Sequence, residues 1–259
     1  ADGIKINWHN MGTSPQAARA MSSGSLDIAG NMNTAALLML NSEGLPVRVV
    51  TGTAHPTSNF AIVSKPGTEL SVKDLKGKQV VGPKGTFLHQ LLVAALEKEG
   101  MNESDVQFIN MGIPKALSTI LAGHADAALV ASSALIKANK AGAKTIINAE
   151  GLVEPTLVMT TTKQFAEEHP DIVKRVGKVY AESLRWMEEH PSETAEMGAQ
   201  EHGISVEDAK TLMERSHYFE KMTSKDLEDL KVNQKFLRDN GMMRNELSVE
   251  ELVLPVAMK

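Results

Sequence analysis

Short apolar runs alternate with small-residue, helix-prone stretches from the start of the chain to about Gly142, and the stretches close on glycines. That rhythm marks successive βαβ units. It predicts strands over Ile4–Trp8, Leu26–Ala29, Val47–Thr51, Asn59–Ser64, Gln79–Gly82, Val106–Asn110, Ala125–Val130 and Lys144–Ile147. Helices are expected to start near Pro15, Asn33, Thr86, Pro114 and Ser132, and to stop at Gly24, Gly44, Gly100, Gly123 and Gly142. Thr13-Ser14 ahead of Pro15 adds a cap followed by a proline suited to a first helical turn.

One unit is written twice. Ala17–Met21 leads through Gly24-Ser25-Leu26-Asp27 into an apolar strand, and Ala116–Leu121 leads through Gly123-His124-Ala125-Asp126 into another. Two copies of one αβ unit imply two similar α/β lobes, and ligands favour the crevice between such lobes.

After Gly151 one more strand, Thr156–Thr161, precedes an almost wholly helical tail. Within Asp171–Glu189, Ile172, Val173, Val176, Val179, Tyr180, Leu184 and Met187 recur at helical spacing. Ser205, Ser224 and Ser248 each stand before acidic residues, as helix caps do. The tail reads as scaffold over the first lobe. Asn59–Ser64 and Thr156–Thr161 bracket the second αβ copy, so they are the expected crossings between lobes and a hinge. Lobe one is then residues 1–57 plus 162–259, lobe two residues 64–154, and the crossings 58–63 and 155–161.

Composition narrows the chemistry. A 42% hydrophobic and 23% charged chain is of ordinary globular make-up, and no apolar run approaches the roughly 18 residues that span a bilayer. A net charge of −5, with no Lys/Arg cluster, argues against nucleic acid as a partner. The absence of cysteine removes disulfides, thiolate metal sites and thiol nucleophiles together. Eight scattered histidines make no metal-ligand spacing, so neither a metal nor a cofactor is expected. Gly82-Pro83-Lys84-Gly85-Thr86 has its lysine before the last glycine, which is not a Walker loop.

The stretch Leu70-Ser71-Val72-Lys73-Asp74-Leu75-Lys76-Gly77-Lys78-Gln79-Val80-Val81-Gly82-Pro83-Lys84-Gly85-Thr86 resembles a run found in periplasmic substrate-binding proteins of ABC transporters. The likeness is to the branch that takes sulfonates, taurine, nitrate and thiamine precursors. It extends to both Gly-x-x-Asp units, to Phe165–Asp171 and to Phe236–Gly241. It implies a two-lobed, type II periplasmic-binding-protein-like α/β fold, each lobe a mostly parallel sheet with flanking helices, joined by two crossover strands. Such proteins begin with a strand, a helix and a ligand-facing loop upstream of where this sequence opens, so lobe one is expected to lack its first strand and helix. Many relatives carry an aromatic–acidic–proline turn where this chain has Ala131-Ser132-Ser133, and serines without an acid point away from a bulky cationic ligand.

Loops at the carboxyl ends of parallel strands face the crevice, where helix N-termini offer free N–H groups to anions. Asn31, Met32, Asn33 and Thr34 match a ligand loop of the family; either asparagine could cap a helix, bind ligand or do both. Gly85 admits a ligand to the backbone beside the Thr86 hydroxyl and Phe87, while Lys84 is equally readable as a solvated lysine. Ser132 and Ser133 open the helix after the second Asp strand. Ser58 and Asn59, with His55 beside them, stand where the first crossing begins and Glu154 where the second does, and Met111 is an adaptable wall in the loop Met111–Pro114.

The expectation is a receptor and not an enzyme: a small polar or anionic, sulfonate-like solute captured between lobes and delivered to a membrane permease. Nitrate, bicarbonate and pyrimidine thiamine precursors are the alternative solutes; a pyrimidine-synthase-type enzyme or the effector domain of a regulator are the other classes. The protein is expected to be a periplasmic or otherwise extracytoplasmic monomer, free or lipid-anchored through a residue upstream of Ala1.

Overall fold

The computed structural model describes residues 3–11 and 13–258. Two sheets organise them. Helix α1 (Ser14–Ser22) leads through left-handed Gly24 into β1 (Ile28–Asn33), which passes directly into α2 (Thr34–Ser42) and then β2 (Val47–Ala54). The chain crosses to build β3 (Phe60–Ser64), β4 (Gln79–Gly82), α3 (Phe87–Lys98), β5 (Gln107–Asn110), α4 (Ile113–Leu121), β6 (Ala127–Ala131), α5 (Ser133–Lys140) and β7 (Thr145–Asn148). It returns as β8 (Leu157–Thr162), followed by α6 (Lys163–Glu168), α7 (Pro170–Glu189), α8 (Pro191–His202), α9 (Val206–Glu214) and α10 (Ser224–Asp239).

Strand order is β1-β8-β2 in one sheet and β5-β4-β6-β3-β7 in the other. The two-lobed α/β reading stands, but the sheets are not mostly parallel. In the first, β8 runs antiparallel to both neighbours; in the second, β4 is parallel to β5 and β6 while β3 is antiparallel to β6 and β7. The cause is the crossings: β3 and β8 each enter a sheet from the other lobe and so run against the strands laid down within it. Both are interior strands, and the linking backbone is confined to residues 55–59 and 149–156.

Expected strand Ile4–Trp8 does not pair. Its residues are irregular and exposed, Trp8 by 87%, because a two-faced strand pattern gains nothing without an edge to bond. The small residues of α1 and α4 let each helix lie close on the strand that follows it. α3 covers one face of the second sheet and α4 with α5 the other: Ile62, Val80 and Leu129 belong to the larger core, while Ala61, Val63, Val81, Ala128 and Val130 belong to a second. The larger core runs on through both lobes, from Leu37 and Val49 to Leu91. α7 buries only Val173 fully, so its apolar face is half-covered. Ser205 caps α9 as expected, but Thr223, not Ser224, caps α10. The tail also reaches lobe two, where Lys137 and Lys140 of α5 bond the His202 carbonyl and the Asp208 carboxylate.

Candidate functional site

The carboxyl ends of β1, β2, β4, β5, β6 and β7, and the opening residues of β3 and β8, meet at the crossings, because every crossing strand is antiparallel to its partners. α2, α3, α4 and α5 all start there. Capping differs among them. Asn33 caps α2 by accepting the Ala36 N–H at 2.8 Å, whereas α3, α4 and α5 have no side-chain cap. Lobe two therefore turns three helix starts without side-chain caps, each with a partial positive charge, toward lobe one. The rims come close: Cβ atoms built on Gly85 and Gly112 would lie 3.1 Å from the Met39 methyl and 3.9 Å from the Thr13 methyl.

Ser132, cap residue of α5, sits at φ +54° and ψ −129°, a region a serine adopts only when its surroundings force it. Its N–H donates to the Asn59 carbonyl at 2.9 Å, fixing α5 to the first crossing. Neither serine caps the helix, so the half-buried hydroxyls of Ser132 and Ser133 are left to other partners. Gly85 (φ +69°) needs its glycine, and the next hydroxyl, Thr86, donates to the Pro83 carbonyl at 2.9 Å.

The sequence-derived residues divide. Asn31 is exposed and accepts the Thr53 hydroxyl at 3.1 Å; half-buried Ser58 lies in the turn Thr57–Asn59; Gly85, Thr86, Met111, Ser132 and Ser133 line the strand ends. Asn33 is held by its cap and by donating its amide to the Ser14 hydroxyl at 3.0 Å. Asn59 is buried and donates to the Leu212 carbonyl at 3.4 Å. Thr34 is wholly buried, its N–H on the Thr156 carbonyl at 3.1 Å and its hydroxyl without a hydrogen-bond partner among the described residues. Three residues leave the candidate set. Met32 is core, with its sulfur 3.7 Å from the Thr160 hydroxyl, because β1 continues to Asn33 and no loop forms there. Phe87 is buried edge-on to Phe60, and exposed Glu154 acts on Lys225 of α10. Lys84 is exposed with its ammonium 4.0 Å from Glu103, not over the strand ends.

Pattern reading missed the segment Arg215–Glu220. It runs along the end of β2, where Ser216 accepts the His55 N–H at 3.0 Å and Phe219 donates to Thr53 at 3.2 Å. It carries His217 at φ +44° and exposed Tyr218. Phe219 stacks on His55, ring centres 4.1 Å apart, and occupies the space a side chain at Gly52 would need, 2.0 Å from its Cβ position. The one signal was Gly52 itself, a glycine inside a strand. Tyr180 donates to the Thr53 carbonyl at 2.9 Å, and burial, with Tyr218 and Glu220, raises its phenol pKa. His55 Nε2 in turn lies 3.1 Å from the buried Asp226 carboxylate. A concavity of about 830 Å³ along α10 lies elsewhere, and its Lys231, Lys235 and Arg238 pair with Glu250, Asp239 and Glu246.

Residues 1–194 match the model of a family described as NMT1/THI5 like, and the chain belongs to that family. The taurine-binding periplasmic protein of Escherichia coli K12 is 29% identical over 180 residues, covering 68% of this chain and 55% of that protein. A putative aliphatic sulfonates-binding protein of Bacillus subtilis 168 is 26% identical over 201 residues, covering 76% and 60%. The chain thus spans a little over half the length of these relatives. The alkanesulfonate-binding protein SsuA from Xanthomonas axonopodis pv. citri, solved bound to MOPS, shares the fold with a TM-score of 0.85 at 20% identity, over 96% of this chain and 88% of that one.

Proposed function

We propose that this member of the NMT1/THI5-like family is the solute receptor of an ABC import system, and that it takes a small sulfonate between its lobes. The observation that carries the reading is the meeting of α3, α4 and α5, all without side-chain caps, with the forced backbone of Ser132. A sulfonate is ionised at every physiological pH and brings three acceptor oxygens. Each helix start contributes about 0.3–1 kcal/mol toward such a charge, more when water is excluded. The hydroxyls of Ser132 and Ser133 supply further donors. Nothing covalent is required, and the chain has no thiol to serve as a nucleophile.

The names of its relatives, taurine-binding and sulfonates-binding, support the same solute class. On this reading residues 1–54 with 157–259 and residues 60–148 close as two lobes about the linking residues 55–59 and 149–156. The closed form docks on a membrane permease, and the protein works in the periplasm as a monomer. A thermal-shift panel of taurine, alkanesulfonates, nitrate, bicarbonate and a pyrimidine precursor tests the solute class. A sulfonate at a hundred times its Kd stabilises the fold by about 2.7 kcal/mol. Response to nitrate or the pyrimidine alone would overturn it.

A further inference from the structure

His89 is the most deeply buried titratable side chain near the strand ends, at 0% exposure, and nothing in the proposed capture uses it. It is the third residue of α3, in the helix's first turn. Its Nδ1 accepts the Gly85 N–H at 3.4 Å, its Nε2 lies 3.0 Å from Glu103 Oε2, and its ring stacks on Phe108 with centroids 4.9 Å apart. Because an N–H can only donate, Nδ1 must be the bare nitrogen, so the proton sits on Nε2 and is given to Glu103. α3 has no N-cap side chain, since the Thr86 hydroxyl is turned to Pro83. The imidazole bonds the turn before the helix and leaves the first N–H groups of α3 uncapped.

We propose that His89 is a positioning residue of the solute site: in its neutral form it holds Gly85, and with it Thr86, in the shape that receives the anion. The inference rests on the sulfonate-receptor reading above. The charged groups facing the ring are Glu103, from the turn Glu103–Asp105, and Lys84, from the loop before α3. Burial lowers the His89 pKa more than Glu103 restores it, so the neutral ring persists to mildly acidic pH. Protonation below that range makes Nδ1 a donor aimed at a donor, and the turn is released.

The test measures Gly85 amide exchange by NMR in the ligand-free protein, and taurine affinity, for wild type, H89L and H89N between pH 5 and 8. Asparagine keeps an acceptor near the Nδ1 position; leucine keeps only bulk. Expected are faster Gly85 exchange and about three- to tenfold weaker taurine binding in H89L, both largely restored in H89N. In wild type, any loss of Gly85 protection, measured against the intrinsic exchange rate at each pH, is accompanied by a matching weakening of taurine binding. Equal Gly85 exchange in wild type and H89L at every pH overturns the inference. Should H89L fail to fold, H89A, which also lacks the acceptor, replaces it under the same criterion. A wild type that binds no sulfonate overturns the solute class instead, and the Gly85 exchange still decides the role of His89.

Discussion

Replacing Asp226 by asparagine removes a charge and little else. Its carboxylate accepts the Thr223 N–H at 2.7 Å and hydroxyl at 2.6 Å, and pairs with His55 Nε2 at 3.1 Å. Burial alone would raise its pKa; the bonds from His55 and Thr223 outweigh it and bring the value from 3.8 to about 2. At 1.36 kcal/mol per pKa unit that difference amounts to about 2 kcal/mol. The sign follows from proton binding. A depressed carboxylate takes up protons more readily in the unfolded chain, so its stabilisation is complete above about pH 4 and vanishes as pH falls through about 2. For a chain of 259 residues, about 2 kcal/mol corresponds to about 4 °C in Tm. Melts of wild type and D226N should differ by that much at pH 7 and converge toward pH 2. Equal melting at pH 7, or a gap undiminished at pH 2, would refute the reasoning.

S132G relieves a strain of about 1–3 kcal/mol and adds about 0.5–1 kcal/mol of chain entropy cost, so it should melt about 2 °C higher than wild type while S132A does not. A lower Tm for S132G than for S132A would show that the backbone at Ser132 is unstrained. Gly52→Ala forces the Phe219 ring from its place against His55 and should cost about 1–3 kcal/mol, with faster proteolysis within Arg215–Glu220; unchanged stability and cleavage would mean the ring moves freely.

Local signals carried much of the fold. Gly24 and Gly123, both left-handed, close the two copies of the αβ unit as their spacing implied, and β4 spans the predicted Gln79–Gly82. Strand direction was hidden, because antiparallel entry of β3 and β8 follows from which lobe the chain comes from, not from residue pattern. Ile4–Trp8 alternates well yet forms no strand, since pairing depends on a neighbouring edge. Near the strand ends, the left-handed turn at Gly85 was legible from its glycine, whereas the missing caps at Thr86 and Ser132 were not, and Met32 and Phe87 were not separable from core by type. The segment Arg215–Glu220 and the His89–Gly85 bond arise from tertiary or one-turn contacts that no strand or helix period encodes.

The central claim is that the uncapped helix starts of lobe two recognise a negative charge. It is met most directly by calorimetric titration of ethanesulfonate against ethanesulfonamide, which match in size and differ in charge. The account predicts saturable binding of the sulfonate and at least about tenfold weaker binding of the sulfonamide. Equal affinity for the two, or binding of the sulfonamide alone, would contradict it.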